Sequence, residues 1–223
     1  MSRIVFFWIM ALSIIGFSGC AKYQTIPICV PLDTVKEKTV YETNISTTED
    51  VRAYSFDLEY VDNRSIEERK EERKRGIYFQ DTTIGKIIGD FGSVTTKGIS
   101  MIKAGSKLVL KLTIRQISEP LRPMQYRVGT SQYDVDKKGN GHFNLITVKP
   151  GETIEIISNI GEHRSESHGM ARDSSNEPAW RKSIAFVGLE NGDYHIKLEV
   201  LETSPEFAKI RTNFIIVPAY FGK

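Results

Sequence analysis

Residues 54–60 read Tyr54-Ser55-Phe56-Asp57-Leu58-Glu59-Tyr60, with apolar and polar side chains alternating without a break. Successive side chains of a β-strand point to opposite faces, so this period of two describes a strand with one face buried and one in water. The same alternation recurs at Leu108, Leu110, Leu112 and Ile114, and at Tyr194, Ile196, Leu198 and Val200. Shorter strands are expected over 39–45, 143–148, 153–160, 182–188 and 212–217, each bounded by Gly, Pro or Asn. About eight strands with no helices alternating between them favour an antiparallel sandwich over a parallel α/β sheet.

The connections carry turn chemistry. Lys149-Pro150-Gly151-Glu152 places Pro and Gly at the two central positions of a type II turn, and Asn191-Gly192 tolerates the positive φ of a tight connection. The run Gly192-Asp193-Tyr194-His195-Ile196-Lys197-Leu198 resembles the start of the penultimate strand in immunoglobulin-like sandwiches. There a tyrosine hydroxyl bonds back to the preceding corner; the alternative is a plain buried strand tyrosine. Thr212 to Val217 ends at Pro218, which cannot donate to a ladder and suits an edge. The expected fold is an all-β, antiparallel, immunoglobulin-like β-sandwich.

One short charged helix interrupts the strands. Ser65 with Glu68 three residues later is a capping box, acidic residues come early, Lys74 and Arg75 come late, and Gly76 stands where the helix should stop. Ile66 is its single apolar residue, so the helix has almost no face to bury. Two readings stay open: a solvated helix laid on the sandwich, or a polar contact surface for a partner.

Composition bounds what the chain does. In 223 residues there are 30 Lys+Arg and 28 Asp+Glu, too even a balance to draw the molecule onto nucleic acid. At 40% hydrophobic the chain can bury a core, and disorder is not expected. The two cysteines, Cys20 and Cys29, cannot build a disulfide framework or a multi-cysteine metal site.

The first residues give an address. Met1-Ser2-Arg3 is a short positive region, and Ile4 to Phe17 is an almost unbroken apolar stretch of signal-peptide length that stops short of the roughly 20 residues a spanning helix needs. Phe17-Ser18-Gly19-Cys20 resembles the lipobox of bacterial lipoproteins, with Phe17 departing from the usual aliphatic residue. The resemblance implies cleavage after residue 19 and acyl chains on Cys20. At roughly 0.8 kcal/mol per buried methylene, several chains make a permanent anchor. Ala21, where lipoproteins kept in the inner membrane typically have Asp, implies sorting to the outer membrane, facing the periplasm. The expected organisation is a signal peptide over 1–19, the lipidated Cys20 and an extended tether over 20–38, and the sandwich over 39–223. Cys29 then lacks an intramolecular partner.

Catalytic chemistry is sparse. There is no G-x-S-x-G elbow, no Cys–His arrangement and no G-x-G-x-x-G fingerprint in the mature domain, so no enzyme and no cofactor are expected. His163 and His168 are five apart, a spacing that suits a loop better than a helical zinc pair, and no metal site is assigned. Surface remains: the stretches 119–141 and 161–178 are long and rich in Arg, Tyr, Ser and Gly. Arg122, Met124, Tyr126, Arg127 and Tyr133 are residue types enriched at protein interfaces and are the candidate partner-binding residues. The other reading of residues 124–128 is one more strand. Trp180, which begins a strand, belongs to the core.

The mature chain as a whole resembles a group of small bacterial lipoproteins with a β-sandwich domain. The residues that carry the likeness are Phe17-Ser18-Gly19-Cys20, Phe56-Asp57-Leu58-Glu59-Tyr60, Trp180-Arg181-Lys182-Ser183-Ile184-Ala185 and Leu189 to Glu199. Some lipoproteins of this kind are immunity proteins for type VI secretion effectors, phospholipases among them. The resemblance implies a lipid-anchored protein that binds and neutralises a secreted antibacterial effector, with a protein partner and no small-molecule substrate. The alternative is a structural or assembly lipoprotein of the envelope with no toxin partner.

Overall fold

A computed structural model describes residues 23–50, 53–61, 64–77, 81–89, 94–95, 98–99, 104–128, 133–135, 141–143, 145–161, 171–172 and 178–219. In chain order the strands are β1 (Tyr23–Gln24), β2 (Ile28–Pro31), β3 (Val40–Thr47), β4 (Ala53–Val61), β5 (Val94–Thr95), β6 (Gly98–Ile99), β7 (Leu108–Gln116) and β8 (Met124–Val128). They continue with β9 (Tyr133–Val135), β10 (Gly141–Phe143), β11 (Ile146–Val148), β12 (Ile154–Asn159), β13 (Ala171–Arg172), β14 (Pro178–Gly188), β15 (Gly192–Thr203) and β16 (Arg211–Pro218). Helix α1 spans Ile66–Lys74, α2 spans Thr83–Ile88, and a 3-10 helix spans Pro205–Lys209.

The chain is an all-β sandwich. Of the two large sheets, one has the order β1-β3-β15-β7-β12 and the other β11-β8-β14-β4-β16-β2 with β13 on β14, while β9 with β10 and β5 with β6 form separate two-stranded ladders. Among the described residues every ladder is antiparallel except β1 on β3. The three long alternating strands are present, as are those expected over 39–45, 153–160, 182–188 and 212–217, whereas 143–148 divides between the end of β10, which pairs with β9, and β11, which pairs with β8. Between the two large sheets lies one core, in which Phe56, Leu58 and Tyr60 of β4 meet Leu110, Leu112, Ile196 and Leu198 of the opposite sheet, all fully buried. Tyr41 of β3 meets Phe214 of β16 edge-on across the gap, with ring centroids 5.5 Å apart.

Four features differ from the sequence reading. First, β4 is buried on both faces, since Ser55, Asp57 and Glu59 are as inaccessible as their apolar neighbours. The polar face tolerates this because partners come from the flanking strands. Arg181 on β14 donates twice to Glu59 Oε2, at 3.0 and 2.8 Å, and Asn213 on β16 donates to Oε1 at 3.1 Å. Ser183 on β14 donates to Asp57 at 2.6 Å, and Ser55 donates to it as well.

Second, the segment expected as a tether is extended but not free. β2 pairs with β16, Leu32 N donates to Thr212 O at 2.9 Å, and Ile28 and Leu32 enter the core. Its alternation spans only Ile28, Val30 and Leu32 and is interrupted by Pro31, too short a run to register as a period.

Third, the turn at Pro150-Gly151 forms but makes no hairpin, and Asn191-Gly192 is a bend in which neither residue takes a positive φ. Glu152 N donates to Lys149 O at 3.1 Å and Gly151 has φ +83°, as the type II reading requires. Yet β11 and β12 lie in different sheets, as do β14 and β15 on either side of Asn191-Gly192. A local turn reverses the chain without choosing the sheet that receives it.

Fourth, α2 is an additional helix. Its Thr82 side chain accepts from Gly85 N, and Ile84, Ile87 and Ile88 are buried. Six residues are too few to show a helical period in the sequence.

Helix α1 follows its reading closely. Both bonds of the Ser65–Glu68 capping box are present. At the other end Ile77 N reaches Glu72 O and Gly76 N reaches Arg73 O, with Gly76 at φ +76°, which is a Schellman motif. No residue of α1 is buried.

Candidate functional site

The five residues selected from sequence do not form one surface. Residues 124–128 are strand β8, which alternates: Met124 turns into the core at 1% exposed, and Tyr126 is half-buried against it. Arg127 points to the other side of the sheet, 5% exposed, with its guanidinium 4.1 Å over the Phe186 ring. Tyr133 lies in β9, paired with Phe143 of β10. Arg122, before the strand, is exposed and meets Glu190 at 2.5 Å. Its main-chain N–H donates to Gln116 Oε1 at 2.8 Å, while Gln116 Nε2 donates to Pro120 O at 3.1 Å, so the loop is pinned to the end of β7. The adjacent Glu190 carboxylate holds the Arg122 guanidinium above its ordinary pKa.

Arg122 sits at one pole of the sandwich, by the Tyr194 corner. The Tyr194 hydroxyl donates to Glu190 O at 3.0 Å, which is the back-bond of the corner reading. The opposite pole lies at the far end of β4, where Val61 stands level with Arg211 and Ala179. Nine strand residues separate the poles by about 26 Å at ~3.3 Å each.

A cleft of about 500 Å³ opens at that far pole, lined by Val61, Ile77, Ile84 and Ile210 together with Arg64, Glu72, Asp81, Thr82, Thr83 and Lys209. Each wall has a local cause. Arg64 precedes the α1 cap and reaches Glu72 two turns along the helix, at 2.5 Å with both side chains largely covered. Thr82 caps α2 at 3.1 Å. The 3-10 helix is held by buried Phe207, whose ring lies 6.4 Å from that of Tyr60, and it delivers Lys209 and Ile210 to the rim. The result is an aliphatic floor with two cations and two carboxylates around it. Balanced charges over an apolar base suit a protein side-chain anchor within a polar rim. Sequence reading missed these residues because they come from four separate segments; the one visible signal was the helix without an apolar face.

Other candidates from sequence are placed as follows. Cys20, His163 and His168 lie outside the described residues. Cys29 is exposed on β2, its Sγ 3.9 Å from Glu59 Oε1. His195 lies on β15 between Asn44 at 2.9 Å and Glu42 at 2.9 Å. Among the described residues no three His, Cys, Asp or Glu side chains converge as a metal site, and no helix is long and apolar enough to cross a membrane.

Comparison with known proteins adds the family. No curated protein matches the chain. The crystal structure of a protein from Sulfurospirillum deleyianum is similar over 86% of this chain and 97% of its own, at 15% identity and a TM-score of 0.46. The model of a domain of unknown function, DUF5625, matches residues 29–218, from strand β2 to the end of β16. With the sandwich matched from its first long ladder to its last, the chain belongs to the DUF5625 family.

Proposed function

We propose that the protein is a lipid-anchored envelope protein of the periplasm that binds and neutralises a secreted antibacterial effector, and that the far-pole cleft with helix α1 is its contact surface. It acts by binding and not by catalysis. The observation that carries this reading is α1 itself, a doubly capped helix of nine residues, none of them buried. A helix that adds nothing to the core contributes its surface, and this one carries charge along its whole length beside the cleft. An acyl anchor at Cys20 would hold that surface where an effector attacking lipid must work, raising the local concentration of inhibitor.

The test is a pulldown of the tagged lipoprotein with the product of the adjacent gene as an inactive mutant, paired with rescue of cells poisoned by the active form. A stoichiometric complex and rescue, both lost in Lys70→Glu with Arg73→Glu, support the reading. Recovery of envelope components with no rescue overturns it in favour of a structural lipoprotein.

A further inference from the structure

We propose that Lys182 is the positioning residue of the cleft: its buried ammonium grips helix α2 by its last carbonyl and so sets the wall that α2 presents. This rests on the reading of the cleft as the partner site.

Lys182 is 1% exposed and stands opposite Leu58 in the β4–β14 register, on the core side of the sheet. The ladder shifts between Ser183 and Ala185, the kind of irregularity that re-aims a side chain. Its Nζ donates to Ile88 O and, at 3.1 Å, to Ile160 O. Ile88 ends α2, so its carbonyl belongs to the set that no amide of the helix can satisfy, at the end where a cation is favoured. Burying an ammonium is costly, and methionine would fill the same space without that cost. What lysine adds is a set of donors that can hold two carbonyls at once.

Backbone also meets this end of α2. Ser106 N donates to Ile87 O at 2.7 Å and Gly105 N to Gly161 O at 2.8 Å. A Cβ on Gly105 would lie 2.5 Å from both Gly89 N and Ile88 C, and one on Gly161 would collide with Ser106 O, so these chains are in direct contact. The C-terminal end of α2 is therefore held by both Lys182 and the 105–106 backbone, which together form a clasp. Its other end supplies Thr82, Thr83 and Ile84 to the cleft, about 8 Å away at ~1.5 Å per residue. Freeing the clasped end lets that wall move.

The experiment uses the full-length lipoprotein in detergent. It compares wild type, Lys182→Met and Lys182→Gln by amide hydrogen exchange and by affinity for the inactive product of the adjacent gene. The expected result is at least tenfold faster exchange at the Lys86 and Gly89 amides, with the β7 and β15 amides unchanged. Affinity is expected to fall at least tenfold at a temperature where the variant is fully folded. Unchanged α2 exchange overturns the proposal, as does faster exchange spread evenly over the sheets, which marks a general stabiliser. If the methionine variant does not fold, the glutamine variant is read by the same two criteria. A wild-type protein that binds no effector overturns the proposed function, while the exchange pattern still decides whether the clasp exists.

Discussion

The hydroxyl of Tyr194 donates a 3.0 Å hydrogen bond to the main-chain oxygen of Glu190, and the carboxylate of the same Glu190 meets Arg122. One residue therefore ties the start of β15 to the loop before β8. Tyr194→Phe keeps the ring and removes the bond, so it should cost about 1 kcal/mol, or roughly 2–4 °C of Tm for a domain of this size. Thermal unfolding measures it; an unchanged Tm would mean the corner holds without its bond.

Tyr60 makes the opposite case. It is fully buried, and its hydroxyl has no hydrogen-bond partner among the described residues. Tyr60→Phe removes a stranded polar group while leaving the contact with Phe207, so it should be neutral or stabilise by about 1 kcal/mol. Urea titration should show a loss of stability in Tyr194→Phe and none in Tyr60→Phe.

Alkaline stability follows from the same two side chains. Burial, helped by the charge of Glu190, pushes the Tyr194 phenol up to about 12, and burial raises Tyr60 further. Folding thus favours the neutral phenol. That contribution is complete below the ordinary tyrosine value near 10 and is lost as pH rises through the folded values. Stability should hold up to about pH 10 and decline above it, with a shallower decline in Tyr194→Phe. Denaturation midpoints from pH 8 to 12 would measure the slope.

Arg181→Ala should be among the more damaging single changes. Glu59 is fully buried and takes two of its bonds from that guanidinium, so truncation leaves a carboxylate without its countercharge, at a cost of about 3 kcal/mol. Replacing both partners, as in Glu59→Leu with Arg181→Met, should recover most of the loss. Chemical denaturation of the single and double variants tests this as a cycle. Arg122→Ala removes a pair that is half-exposed on both sides, and its Tm should stay at the wild-type value.

Cys20→Ser should leave the domain folded and release it from membranes. Fractionation of cells carrying the variant checks this. A variant that stays with the membrane pellet would remove the lipid anchor from the proposed function.

The alternation in Tyr54 to Tyr60, Leu108 to Ile114 and Tyr194 to Val200 determined the strands and the fold class by itself. A period of two is a property of the backbone and needs no knowledge of neighbours. Ser65, Glu68 and Gly76 determined α1 for the same reason, since caps are local. Which strands pair was left to the tertiary structure, because the turn at Pro150-Gly151 and the bend at Asn191-Gly192 are local and do not specify whether the next strand joins the same sheet or the facing one. The polar face of β4 was misjudged as solvent-facing because its partners, Arg181, Ser183 and Asn213, lie more than a hundred residues away. Met124 and Arg127 look like interface residues by type, but strand geometry turns one into the core and lays the other on Phe186. The cleft belongs wholly to the tertiary structure. Arg64, Asp81, Lys209 and their aliphatic floor become neighbours only when the ends of β4, α1, α2 and the 3-10 helix meet at one pole, and no spacing along the chain encodes that meeting.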